Sequence, residues 1–438
     1  MTIRIKRPSK ITIKRRSQIR WLVLILVLGS FLFGLLNDFL SFPRFIRYGL
    51  DAIWVSLLVL MAVNLRGLNV GHARPIILLI ICFVLYTAIM YIGNFQNILY
   101  YLWGSRNNFR FFVAFTACAL FLLPDDIEDA FKLIDKLFWI NAIVSIIQYV
   151  GFDIKQDFLG GLFGVETGVN GYTNIFFCII AAKSALSFLE GRESAWSCGA
   201  KWMTALLIAA LAELKFFYVE CVVIIVLATL FTKFTWKKLA FILFAFIGIA
   251  CAASLLASLF PYFSDFFSLE WFYQESSAEK GYTYKNDINR LTAIAFVNEN
   301  WLTNPVKRVF GLGLGNCDTA TFSIVNTPFF EKYGDMHYSW LSYAFMYLEC
   351  GAIGLVFFFS FFVMVFWKAT RIQKCNFGEG VFFCQLARIM AIICCMIAVY
   401  NNSLRVESGY MAYFVLAIPF VYDRYARVCG TKQKECMR

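Results

Sequence analysis

Residues 348–367 read Leu348-Glu-Cys-Gly351-Ala-Ile-Gly354-Leu-Val-Phe-Phe-Phe-Ser-Phe-Phe-Val-Met-Val-Phe-Trp367. Nothing after Glu349 in this run is charged. A helix rises about 1.5 Å per residue, so roughly 20 apolar residues cross the hydrocarbon core of a bilayer. A helix covering a soluble core would keep a polar stripe, and this run has none. It reads as a membrane span that opens near residue 340.

Comparable apolar runs recur on both sides of it. They lie near 21–41, 50–65, 75–93, 109–123, 137–151, 172–189, 202–213, 216–232 and 239–260, then 381–400 and 408–424. The chain has 438 residues, of which 60% are hydrophobic and 16% charged; soluble domains carry about 25% charged residues. The expectation is an all-α polytopic membrane protein of about twelve transmembrane helices. The seventh run is too short to cross unaided and is expected to be tilted or broken. The first run is too long for a signal peptide and is read as a retained helix.

A net charge of +12 raises nucleic acid as a partner, but its distribution excludes that class. Basic residues crowd the N-terminal tail (Arg4, Lys6, Arg7, Lys10, Lys14, Arg15, Arg16) and alternate loops. Those loops hold Arg66 and Arg74, Lys132 and Lys136, Arg192 and Lys201, Lys233 to Lys238, and Lys368 to Lys374. This is the positive-inside pattern. It places both termini in the cytoplasm and the one long connection outside. The organisation expected is a membrane domain over 1–260, an external loop over 261–338, and a membrane domain with cytoplasmic tail over 339–438. Pro124-Asp-Asp-Ile-Glu-Asp129 suits the polar first turn of an interfacial helix. Gly168-Val-Asn-Gly-Tyr-Thr-Asn174 reads as a tight turn opening the sixth span. No inverted repeat marks a secondary transporter.

Most of the 14 cysteines sit inside apolar runs, and only Cys317 falls in the long loop, so no disulfide framework holds that loop. With two histidines in the chain, His72 and His337, no zinc site is expected. Asp38 lacks a partner acid pattern for another metal. No cofactor is expected.

The long loop exceeds ordinary connection lengths and reads as a functional cap. Asn289 to Trp301 is apolar-periodic and predicts an amphipathic helix on the outer membrane face, begun by Arg290 and stopped by Asn304-Pro305. Gly311-Leu-Gly-Leu-Gly-Asn316 lacks the lysine of a phosphate loop and reads as a flexible turn that lets backbone approach a substrate. Lys307 and Arg308 precede it. The loop closes on Gly334-Asp-Met-His337-Tyr-Ser-Trp, where Asp335 and Glu331 are further candidate bases. Arg106 and Arg110, with Arg44 and Arg47, are external basic residues of the helix-end type. Arg388 and Lys183 fall inside spans and are expected to face the protein interior or to snorkel.

The order of Arg290, Gly311-x-Gly-x-Gly-Asn316, His337 and Glu349-x-Gly-x-x-Gly-Leu at a helix start resembles the O-antigen ligase and polymerase superfamily. Those multi-span enzymes transfer glycans from a polyprenyl pyrophosphate carrier outside the membrane, without metal. The resemblance implies a glycosyltransferase-C-like architecture and a Wzy-type polymerase of lipid-linked repeat units, for O-antigen, capsule or exopolysaccharide. It gives Arg290 the pyrophosphate, because a guanidinium forks two hydrogen bonds onto phosphate oxygens. Lys215, in Glu213-Leu-Lys-Phe-Phe, stands where ligases carry arginine in a Ser-Arg pair, which tilts the reading towards polymerase. His337 would stabilise phosphate or take the acceptor proton. Lys307, Arg308 and Asp335 complete the substrate-binding candidates. The partners implied are the polyprenyl-pyrophosphate-linked oligosaccharide, membrane lipid and a chain-length regulator. The open alternatives are a ligase transferring glycan to lipid A-core and a lipid-linked oligosaccharide flippase.

Overall fold

The computed structural model describes residues 10–43, 45, 48–64, 71–233, 236–259, 270, 273, 287–319, 325–375 and 378–436. The sequence-based calls at Arg4, Lys6, Arg7, Arg44, Arg47, Arg66 and the first part of the long loop lie outside these residues. The described chain is all-helical, with no sheet.

Twelve long helices follow the twelve apolar runs. They are α1 (Lys10–Phe39), α2 (Tyr48–Asn64), α3 (Arg74–Gly93), α4 (Ile98–Phe121), α5 (Pro124–Gly151) and α6 (Asn170–Leu189). After these come α7 (Ala195–Leu211), α8 (Lys215–Phe231) and α9 (Trp236–Leu259). Three short helices of the loop, α10 (Ala293–Asn300), α11 (Pro305–Phe310) and α12 (Pro328–Tyr333), precede α13 (Ser342–Gln373), α14 (Glu379–Tyr400) and α15 (Gly409–Cys436). Five segments are long and apolar enough to cross a membrane on those grounds alone: Gly71–Gly93, Asn170–Leu189, Lys238–Ser258, Ser342–Gln373 and Glu379–Tyr400. This is a multi-pass membrane protein. Two of these five segments nonetheless carry a cation into the bundle. Lys183 on α6 meets Asp135 on α5 at 2.6 Å, and Arg388 on α14 donates to Gln373 at 2.8 Å beneath the Phe231 ring.

The seventh element corrects its sequence boundaries. It starts at Ala195, capped by Ser194 Oγ on the Ser197 amide, and has 17 residues. A serine accepting from an amide two or three residues on is a standard helix start, and the polar composition of 195–201 hid it. α5 begins at Pro124 as expected, with Asp126 accepting the Leu123 N–H at 2.7 Å.

Contacts sort the connections into two ends. At one end Asp38 accepts from the Val165 amide, Arg106 pairs with Asp51, Asn170 reaches Ala212 and Ser342 reaches Asn401. At the other Arg20 pairs with Asp126, Arg424 binds the Leu120 and Leu122 carbonyls, and His72 meets Asp423. Successive long helices therefore alternate in direction. α4, α13 and α15 meet through packed rings, Phe112 on Phe361 at 4.9 Å and Phe361 on Tyr413 at 5.2 Å. Such edge and offset contacts add to burial in a bundle where lipid removes the usual hydrophobic drive.

α13 is broken near its start. Gly351 adopts φ 63, ψ −168 inside the helix, a region that is essentially glycine-only. The break leaves carbonyls without intrahelical donors, and the glycine-rich loop supplies them. Leu312 N–H donates to Leu348 O at 3.0 Å and Gly313 N–H to Glu349 O at 2.8 Å, while Tyr86 Oη donates to Cys350 O at 2.7 Å. A Cβ on Gly311 would sit 2.3 Å from Glu349 O, and one on Gly351 2.3 Å from Val309 O. The glycine run is thus a backbone splice onto the broken helix, where the sequence suggested a flexible turn towards substrate.

Candidate functional site

The loop residues converge on the end of the bundle that gathers Asp38, Ala212 and Asn401. Asn289 Oδ1 accepts from the Leu291 and Thr292 amides at 2.7 and 3.2 Å, which folds 289–292 into a turn. Arg290 lies in that turn, and α10 begins three residues later at Ala293. This corrects the expectation that Arg290 starts the helix. α10 also turns its apolar side inward, burying Ala293 and Val297 against the start of α13. A pattern that suits an interfacial helix suits a protein-covered one equally, since periodicity does not say what lies opposite the apolar face.

The Arg290 turn is clamped from two sides. Tyr343 Oη donates to the Arg290 carbonyl. The guanidinium lies over the Tyr400 ring at 4.7 Å, and that ring stacks on Phe216 at 4.1 Å and 4°. A cation over an aromatic face is held electrostatically. The stack joins the loop, the end of α14 and the start of α8, and brings Arg290 into the neighbourhood of Lys215.

Lys215 is buried and pairs with Glu213 Oε1 at 3.1 Å. It is the first residue of α8. Glu213 itself adopts left-handed backbone at φ 58. His337 does so as well, at φ 52, ψ 26. Non-glycine residues pay to occupy this region and hold it where surroundings over-determine it.

His337 sits between two single-turn helices and stacks on Trp340 at 4.0 Å. Its Nδ1 is 2.6 Å from Asp287 Oδ1. With Asp287 accepting from Nδ1–H, Nε2 is the basic nitrogen of the ring. Asp287, not Asp335 or Glu331, is therefore the carboxylate on the ring. Behind it, Tyr338 Oη donates to the Cys317 carbonyl at 2.6 Å, and burial pushes the phenol up, so it stays a neutral donor.

A cavity of about 480 Å³ opens beside Arg290 and Trp340. Its other walls come from the end of α1, the 157–172 segment and the Asn401–Glu407 connection. Tyr172 and Glu407 meet there, Tyr172 Oη donating to Glu407 Oε2 at 2.6 Å, while Arg110 holds Oε1 at 3.1 Å. Arg110 is 3% exposed, a buried ion partner and not a helix-end charge. Arg106 is paired with Asp51 at 2.8 Å.

Of the residues singled out from sequence, Arg290 lines this cavity, while His337 stands behind Trp340 of its wall and Lys215 adjoins Phe216 in the stack under Arg290. Lys307 and Arg308 lie on α11 away from the cavity; Arg308 donates to Leu302 O and Asn298 O at 2.8 and 3.2 Å. Asp335 is exposed on the turn before His337. Glu349 is buried and accepts the Cys317 N–H at 3.0 Å, serving the splice. Sequence reasoning missed Asp287, Tyr400 and Glu407. The polar run Asn401-Asn-Ser403 between two spans was the available signal for the last wall. No family model matches the sequence, and no curated protein is significantly similar to it.

Proposed function

We propose that the chain is a glycosyltransferase of glycosyltransferase-C-like architecture. It would use all twelve long helices as spans, with both termini in the cytoplasm of a bacterial inner membrane. In this reading it joins polyprenyl-pyrophosphate-linked oligosaccharide repeats at the outer face, as a polymerase. The observation that carries it is the convergence of Arg290, Lys215 and the His337–Asp287 pair from three separate chain segments beside one polar cavity.

The chemistry follows from the groups. The acceptor hydroxyl oxygen attacks the anomeric carbon of the donor sugar, and the bond from that carbon to the phosphate oxygen breaks. Pyrophosphate leaves with the bonding electrons, so negative charge grows on its oxygens. Fixed cations that await this charge lower the barrier because they need not reorganise. Arg290 is pinned on Tyr400, and Lys215 is held by Glu213. The hydroxyl proton passes to Nε2 of His337, whose tautomer Asp287 sets, by the same logic that orients the base in hydrolase triads.

The test uses purified protein with the lipid-linked repeat unit as sole substrate, read as products on a gel. A ladder that collapses in Arg290→Ala and His337→Ala supports the polymerase. A single shift that requires added lipid A-core makes it a ligase. Folded protein that forms no product in either case removes the enzymatic reading and leaves lipid-linked oligosaccharide transport.

A further inference from the structure

The cavity beside Arg290 has a composition that a pyrophosphate site alone does not explain. Four carboxylates line it, Asp38, Asp157, Glu166 and Glu407, against the single cation Arg290. The charged groups just behind these walls do not reverse the balance. Lys215 is paired with Glu213, Arg405 lies 3.5 Å from Asp318, and Arg110 is engaged with Glu407. Amides and hydroxyls fill the rest of the wall, from Asn37, Asn170, Asn401, Asn402 and Ser403, with Trp340 and Tyr172 as aromatic faces. A second observation points independently to a ligand. Ser30 on α1 also lines the cavity, is 2% exposed, and its Oγ has no hydrogen-bond partner among the described residues. A buried hydroxyl without a partner costs free energy unless something entering the cavity satisfies it.

We propose that this cavity is the subsite for the acceptor's terminal sugar, and that it selects sugars that are neutral or carry an amino group over sugars that carry a carboxylate. This rests on the glycosyltransferase reading and names the substrate class of that same site. Carboxylates and carboxamides hydrogen-bond sugar hydroxyls, and the apolar face of a sugar ring packs on an aromatic side chain. The volume lies within the range of small-molecule sites, about 300–1,000 Å³. Glu407 is offset by Arg110, but Asp38, Asp157 and Glu166 still outnumber Arg290 and repel an incoming carboxylate. An ammonium meets the opposite field. Arg290, on the cavity wall, stays with the donor phosphates, so donor and acceptor are sorted by charge on either side of it.

Binding can be measured without catalysis. The full-length protein in lipid nanodiscs is mixed with methyl glycosides of a neutral hexose, an N-acetylhexosamine, a free aminohexose and a hexuronic acid, and saturation-transfer NMR ranks them. The expected order places the uronic acid roughly 10-fold or more below the neutral sugars. Glu166→Gln and Asp157→Asn, made separately, should each narrow that gap, and Ser30→Ala should weaken the neutral sugars about 2- to 10-fold. Uronic acid binding as well as the neutral glycosides, or no sugar binding to folded protein, overturns the proposal. A ranking indifferent to both carboxylate variants does the same. A protein that shows the ranking yet makes no polymer keeps the sugar site and loses the polymerase, so the two failures are distinct.

Discussion

Replacing Gly351 by alanine should break the splice that seats the long loop on the bundle. The residue sits at φ 63, ψ −168, and a Cβ there would lie 2.3 Å from Val309 O and 2.4 Å from Val309 C. Both obstacles are backbone, so no side-chain rotation relieves them. Forcing an L side chain into this conformation costs about 1–3 kcal/mol. Moving the loop away to make room loses the two amide bonds onto Leu348 O and Glu349 O. A buried group left without its partner costs about 1–3 kcal/mol. The strain and the two lost bonds together come to about 3–9 kcal/mol, a large fraction of a typical folding stability of roughly 5–15 kcal/mol. Gly191→Ala is the matched control. It also has positive φ, 77°, but no heavy atom lies within 4 Å of its added Cβ, so it should cost only about 1–2 kcal/mol. The assay is recovery of the monodisperse peak on fluorescence-detected gel filtration after a heating series in detergent. Gly351→Ala should lose its peak well below the control. A Gly351→Ala protein as heat-resistant as Gly191→Ala would refute the argument that loop and helix are joined backbone to backbone.

Further expectations concern charge. Affinity for a soluble pyrophosphate ester, measured by calorimetry, should fall in Lys215→Ala and be kept in Lys215→Arg, which retains the cation. Asp287→Ala should lower turnover roughly 100-fold by freeing the His337 ring, with substrate binding changed much less. Arg110→Ala leaves Glu407 buried without its cation and should cost about 3–5 kcal/mol; the Arg110→Met, Glu407→Leu double variant should recover part of that in the same heating assay.

The sequence makes the architecture legible where burial demands nothing but length and apolarity. The run 348–367 could be read in isolation because neither lipid nor protein around it asks for polar residues. α7 was less legible, because Glu193 and the cap Ser194 stand just ahead of it and Lys201 lies in its second turn, Lys201 meeting Glu193 at 2.9 Å. At the site, Arg290 and His337 stood out as charges at an otherwise apolar junction. Their partners did not. Asp287 lies 50 residues from His337, and Tyr400 reaches Arg290 only because α14 returns beside the loop. No local pattern encodes such pairings, since the chain separation is closed by the bundle. The glycine run was misread for a related reason. Its spacing permits close backbone approach to anything, and the thing approached proved to be the broken helix.

The most direct test of the central claim counts the leaving group. Purified protein is given lipid-linked repeat unit in the presence of a metal chelator, and free polyprenyl pyrophosphate is measured against sugar bonds formed. The account predicts one pyrophosphate carrier released per bond. It also predicts abolition in Arg290→Ala, and partial retention in Arg290→Lys, which keeps the charge and loses the fork. Turnover that is unchanged in Arg290→Ala, or carrier that is moved without any bond being made, would contradict it.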